Sequence, residues 1–180
     1  LGGGSFGTVL ANIAASNGNN VALWVRDSEQ ALRINSEGAN TTYHPELKLS
    51  ENISASEDLK VVVSDAGYIL VATPSLIFEQ IIARLEPYIS SSVSIISCTK
   101  GIQADPFRTM TEIISHHLGH IIGSQVGVLS GPNLAKEIAE QKIAGTVIAS
   151  SNSELTTNIK KILSSSTFKV FSSLDVQGVE

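Results

Sequence analysis

The chain opens on three glycines at fixed spacing, Gly2, Gly4 and Gly7, in a G-x-G-x-x-G pattern followed by Val9, Leu10, Ile13 and Ala14, which share one face of a helix. A tight turn from strand to helix needs one residue free to adopt positive φ, a second with no side chain where a ligand nears the backbone, and a third where helix and sheet press together. Gly2, Gly4 and Gly7 suit those tasks in that order, with Leu1 as the last residue of a first strand. The turn leaves the first N–H groups of the helix free, and the positive end of its dipole favours a diphosphate there. A loop that only turns the chain is the plain alternative.

Beyond the turn, short apolar runs alternate with segments of helical spacing. Strands are expected at residues 20–25, 68–72, 93–97, 126–129, 146–149 and 168–171. Ile77, Phe78, Ile81, Ile82 and Leu85 form an apolar helix stripe, as do Met110, Ile113, Ile114, His117 and Leu118, and Leu155, Ile159, Ile162 and Leu163. The strand runs are continuous rather than alternating, so both faces of the sheet should be covered. The fold class expected is a doubly wound α/β domain over residues 1–180, a mostly parallel sheet with helices on both faces.

Charge excludes several functions. The formal net charge is −5 with no basic run, which argues against nucleic acid or an anionic membrane as partner. Apolar stretches are broken well short of the roughly 18 residues of a membrane span, and residues 1–4 do not read as a signal peptide. The lone Cys98 excludes an internal disulfide and fits a reducing cytoplasm; with no histidine beside it, it reads as an inert core thiol. Charged residues are only 16%, against about 25% in soluble domains, so part of the surface should be covered by a partner or a further domain. His116, His117 and His120 cluster where Gly119 is expected to end a helix, and read as dipole-complementing residues rather than metal ligands.

Ligands of open α/β sheets lie beyond the carboxyl ends of the strands. Arg26 and Asp27 follow the strand at 20–25, about 20 residues past the last glycine, where a ribose is read. An Asp there suits the free 2′-hydroxyl of NAD and an Arg the 2′-phosphate of NADP, so the cofactor expected is NADP or NAD. Thr73, Pro74 and Ser75 follow the next strand, with Ser75 a candidate helix cap. Lys100 follows the strand at 93–97, where a lysine can hold a phosphate or polarise a carbonyl. Gly131 and Asn133 follow the strand at 126–129 and either offer donors to a ligand or form a turn in which Asn133 caps a helix.

Taken together, Gly2-Gly3-Gly4-Ser5-Phe6-Gly7-Thr8, Leu23-Trp24-Val25-Arg26, Tyr43-His44-Pro45, Ala72-Thr73-Pro74-Ser75, Lys100-Gly101-Ile102, the run from Ser130 to Ala139, and Asp175-Val176-Gln177-Gly178-Val179-Glu180 resemble the bacterial NAD(P)-dependent sn-glycerol-3-phosphate dehydrogenases along the whole chain. The resemblance implies a Rossmann-type nucleotide domain, a helical C-terminal domain, and reversible reduction of dihydroxyacetone phosphate to sn-glycerol 3-phosphate for phospholipid synthesis. It implies that Ser5, Phe6, Arg26 and Ala135 touch the cofactor, that Lys100 touches both cofactor and substrate, and that Gly131 and Asn133 touch the substrate.

Four positions depart from that pattern. Phe6 stands where Trp is frequent, His44 replaces a usual Leu, Asp27 occupies a position often held by His, and the turn at residues 141–145 lacks its usual Gly and Pro. The resemblance places the catalytic lysine a few residues beyond Glu180, so residues 1–180 are expected to be an N-terminal portion with no catalytic residue and negligible turnover alone. The partners expected are the small phosphorylated substrate and the C-terminal domain, with a homodimer left open. Two other readings stand beside this one: a related dehydrogenase of a hydroxy acid or sugar acid, and a non-catalytic nucleotide-sensing module.

Overall fold

The computed structural model describes residues 1–180. Helix α1 (Ser5–Ser16) leaves the glycine turn, followed by β1 (Val21–Trp24), α2 (Ser28–Glu37), β2 (Ile53–Ser56), α3 (Leu59–Val63), β3 (Tyr68–Val71) and α4 (Ser75–Ala83). After a short 3-10 turn at Glu86–Tyr88 come β4 (Ser94–Ser97), a hairpin of β5 (Gln103–Ala104) and β6 (Phe107–Arg108), α5 (Met110–Ile122), β7 (Val126–Ser130) and α6 (Ala135–Ala139). The chain continues through β8 (Ala144–Ala149), α7 (Ser153–Leu163), β9 (Phe168–Ser173) and α8 (Val176–Val179). Each of the six strands expected from the apolar runs is present, its ends shifted by no more than a residue or two, whereas Leu1, expected to end a first strand, lies in none. No helix is long and apolar enough to cross a membrane.

Strands β3, β4, β7, β8 and β9 form one sheet in that order, and β1 pairs with β2 in another. Pairing in these sheets is parallel except between β7 and β8. Leu1 and Gly2 stitch the two sheets together. Gly2 N donates to Trp24 O (3.1 Å), Ala72 N donates to Leu1 O (2.8 Å), and Leu1 N donates to Leu70 O. Farther from the turn the same strands border an apolar cavity of about 640 Å³, lined by Leu10, Leu23, Val62 and Ile69 among others.

Both faces of the sheet are covered, as continuous apolar strands require. Ile95 of β4 packs with Ile69, Phe78, Ile82, Met110 and Ile114, whereas the next residue, Ile96, packs with Val9, Leu10, Ile148, Leu155 and Phe168. Successive strand residues point to opposite faces, so α4 and α5 cover one and α1 and α7 the other. Strand β2 escapes a periodicity reading because Ile53-Ser54-Ala55-Ser56 holds a single large apolar residue. Its free edge is satisfied by a side chain instead: Asn35 donates to Ala55 O (2.9 Å) and accepts from Ala55 N (2.8 Å).

Three local expectations are corrected. Helix α5 does not stop at Gly119 but runs to Ile122 and ends at Gly123, whose φ is +55°. Burial of Ile122 extends the stripe of Met110, Ile114 and Leu118, and outweighs the cost of an internal glycine, about 1 kcal/mol. Ser75 does not cap α4: Pro74 holds the N-cap position, so Ser75 lies inside the helix. Asn133 does not cap α6, because Leu134 takes that position and the Asn133 amide turns back toward β8.

The histidines of α5 part company. His117 Nε2 lies 3.0 Å from Glu79 Oε1 and His120 Nε2 lies 3.1 Å from Glu86 Oε1. Glu79 also accepts from Gln103 Nε2 (2.7 Å) and faces Arg108 Nη1 (3.7 Å), so one carboxylate fastens the β5–β6 hairpin to α4 and α5. The His117 hydrogen bond, then that of Gln103, holds the Glu79 carboxyl below its ordinary value. A depressed carboxylate stabilises the fold above its unfolded pKa, and that stability is lost as pH falls through the folded pKa. Because Glu79 is 36% exposed, the contribution is under about 1 kcal/mol. Glu79→Gln is expected to lower Tm at neutral pH, and the gap from wild type should narrow as pH falls below about 4.5, followed by thermal melts across pH.

Candidate functional site

At the carboxyl ends of β1, β3 and β4 lies a cleft of about 680 Å³. The apolar cavity between β1 and β3 sits between strand edges, away from the strand ends where ligands of such sheets bind. One wall of the cleft is the glycine turn. Gly2 has φ +103°, and a Cβ there would lie 2.7 Å from Ala72 O. A Cβ at Gly7 would lie 1.9 Å from Gly2 O, so the helix can approach the turn only without a side chain. A Cβ at Gly4 would meet nothing within 4 Å, so the space beside that residue is open.

Gly4 is the N-cap of α1, supplies no side-chain cap, and no acidic residue stands in the first turn. The opening N–H groups of this helix are therefore available to an anion. The cleft also gathers Ser5, Phe6, Arg26, Asp27, Arg33 and Lys100, so three cationic side chains line it against one carboxylate. Asp27 is partly engaged, since its side chain accepts from Glu29 N (2.9 Å) as the N-cap of α2.

At the other end of the cleft, Lys100 Nζ donates to Gly131 O (2.8 Å), and Asn133 N donates to the same carbonyl (2.8 Å). Asn133 Nδ2 donates to Thr146 Oγ1 (3.0 Å), which in turn donates to Ser130 O (3.0 Å). That arrangement leaves Asn133 Oδ1 buried with no partner, and Thr73 Oγ1 is buried unpartnered too. Both residues line the cleft. A buried polar atom without a partner costs about 1–3 kcal/mol, which a polar ligand group can relieve. Thr99 Oγ1 lies 3.1 Å from Val71 O and 2.8 Å from Thr73 O, joining the ends of β3 and β4 that present this wall. Cys98 borders the cleft but burial pushes its thiol up to about 12, so it is no nucleophile at neutral pH.

Of the residues singled out in the sequence, Gly2, Gly4, Ser5, Phe6, Arg26, Asp27, Lys100 and Asn133 meet in one cleft. Gly131 stands behind Lys100 as its acceptor, and Gly7 is buried under the turn. Ala135 starts α6 and packs against the core on the α1 side, outside the cleft lining. Sequence reasoning missed Gln30, Arg33 and Asn40. Gln30 Nε2 donates to Gly3 O (2.7 Å) from inside α2, and Arg33 pairs with Glu29 at 3.7 Å. Only the four-residue spacing of Glu29 and Arg33 on a helix could have flagged that pair.

Residues 1–156 match the family described as the NAD-dependent glycerol-3-phosphate dehydrogenase N-terminus. The chain belongs to that family. Its relatives include the glycerol-3-phosphate dehydrogenases [NAD(P)+] of Alcanivorax borkumensis and Acinetobacter baylyi, each 44% identical over all 180 residues. The chain spans about half the length of these relatives, 52% and 49%. The crystal structure of glycerol-3-phosphate dehydrogenase from Coxiella burnetii superposes with a TM-score of 0.88 at 32% identity, over 96% of this chain and 52% of that one. The Dunaliella salina enzyme gives 0.91 at 25% identity, over 98% of this chain and 33% of that one. The expected doubly wound fold is thus shared with solved members of the family.

The glycine turn of a family member must both close and stay open, and the two demands fall on different residues. Gly7→Ala is expected to lower stability by about 1–3 kcal/mol, because the new methyl collides with Gly2 O. Gly4→Ala is expected to leave Tm unchanged while weakening dinucleotide binding, since its methyl fills only the open space. Thermal melts and cofactor titration of both variants separate the two roles.

Proposed function

We propose that this chain binds NADP(H) or NAD(H) along the cleft and that the full protein reduces dihydroxyacetone phosphate to sn-glycerol 3-phosphate, a precursor for glycerophospholipids made in the cytoplasm. The observation that carries the reading is the uncapped, acid-free start of α1 beneath the open face of Gly4, at one end of a cleft whose other end holds Lys100. Family membership and the names of the relatives support the substrate.

In this reading the diphosphate docks on the first N–H groups of α1 with Ser5 and Phe6 beside it, and Arg26 meets the ribose end. Ala135 starts α6 outside the cleft lining, so its place on the cofactor side rests on the family resemblance alone. When bound, a dihydronicotinamide supplies the hydride that a ketone carbon accepts. Lys100 holds a positive charge where the substrate's phosphate or carbonyl oxygen lies, while Gly131 and Asn133 fix its orientation. The buried Asn133 Oδ1 accepts a substrate hydroxyl.

Two measurements test the proposal. The full-length protein should oxidise reduced nicotinamide cofactor on addition of dihydroxyacetone phosphate; strong turnover of a hydroxy acid with none of this substrate would overturn the assignment. Arg26→Ala should weaken NADPH binding by about 1.5–3 kcal/mol, or roughly ten- to hundred-fold, and NADH far less. Equal loss of both cofactors removes the 2′-phosphate role of Arg26.

A further inference from the structure

Between α2 and β2 the chain runs over the outside of the glycine turn and presses two polar side chains onto it. Asn40, only 1% exposed, donates from Nδ2 to Gly3 O (3.0 Å) and to Thr8 Oγ1 (2.8 Å). Its carbonyl accepts from His44 N (2.8 Å), which fixes the backbone from which the His44 ring reaches α1. His44 is 7% exposed, and its Nε2 lies 3.0 Å from Ser5 O and 2.9 Å from Ser5 Oγ.

These two distances decide the tautomer. A carbonyl oxygen only accepts, so Nε2 must carry a hydrogen to approach Ser5 O at 3.0 Å. With that hydrogen in place, Nε2 cannot accept from the Ser5 hydroxyl, and Ser5 Oγ lies on the accepting side of their contact. Ser5 Oγ makes no other protein hydrogen bond, and Ser5 lines the cleft as the first residue of α1. Its proton is therefore free to point into the cleft.

We infer that His44 is a positioning residue: by donating from Nε2 to both oxygens of Ser5, it presents the Ser5 hydroxyl as a donor to a diphosphate at the start of α1. The inference rests on the cofactor reading above. The opposite tautomer would spend the Ser5 proton on Nε2 and set a lone pair against Ser5 O. The imidazole thus adds a side-chain donor to the backbone N–H groups at the anion site without touching the anion.

The test is NADPH titration of the full chain as wild type, His44→Leu, His44→Gln, Ser5→Ala and the His44→Leu/Ser5→Ala double variant, with Tm measured for each. A lost hydrogen bond of ordinary strength predicts an increase of about 3- to 10-fold in Kd for His44→Leu and for Ser5→Ala. His44→Gln, whose amide nitrogen can replace the Nε2 donor, should stay within about two-fold of wild type, and His44→Leu should add little once Ser5 is Ala. Full additivity in the double variant, or failure of His44→Gln to rescue, overturns the inference. If His44→Leu lowers Tm, His44→Asn, whose amide is too short to reach Ser5, takes its place. Absence of NADPH binding by the wild type overturns the cofactor reading itself; binding that ignores His44 overturns only this one.

Discussion

The approach of Gly7 to the carbonyl of Gly2 is the contact on which the rest of the molecule depends. It lets α1 lie directly against the strand ends, so its first N–H groups open at the rim where β1, β3 and β4 finish. No side chain larger than hydrogen fits, and the energy of the close approach comes from the core that Val9, Leu10 and Ala14 share with Ile96, Ile148 and Leu155. Packing and the exposure of these N–H groups are thus one feature: the helix points its positive end at the cleft because its apolar face is buried on the sheet.

A turn built of glycine needs external support, since glycine loses more conformational freedom on folding than any other residue. Here the support comes from Gln30 and Asn40, which both donate to Gly3 O, and from His44 on Ser5. Asn40 joins Gly3 O to Thr8 Oγ1 across the start of the helix. A rigid donor array binds an anion without first paying for its own ordering. The other end of the cleft is held similarly, with Lys100 and the Asn133 backbone sharing the Gly131 carbonyl.

The strands with continuous apolar runs, such as Tyr68–Val71 and Ser94–Ser97, were readable because burial on both faces leaves no polar alternation to confuse them. The strand at Ile53–Ser56 was not, because its stability lies in pairing with β1 and in the amide of Asn35, neither of which has a periodic signature. Gly119 misled because a glycine's helix penalty is small beside the burial of Ile122 one turn on. Lys100, Arg26 and the glycines could be placed from strand-end logic. Asn40 and His44 could not, since their roles arise only where a segment without regular structure folds back over residues some forty positions earlier.

The order of apolar runs and the spacing of Gly2, Gly4 and Gly7 by themselves determined a doubly wound α/β domain whose first helix starts uncapped on a glycine turn, because both are local rules of periodicity and steric size. Tertiary structure alone decided the antiparallel entry of β8, the withdrawal of Asp27 into the cap of α2, the unpartnered Asn133 Oδ1, and the ring nitrogen of His44 that carries the proton. Each of these depends on which distant group lies within hydrogen-bond reach, and that distance exists only once the core has brought the segments together.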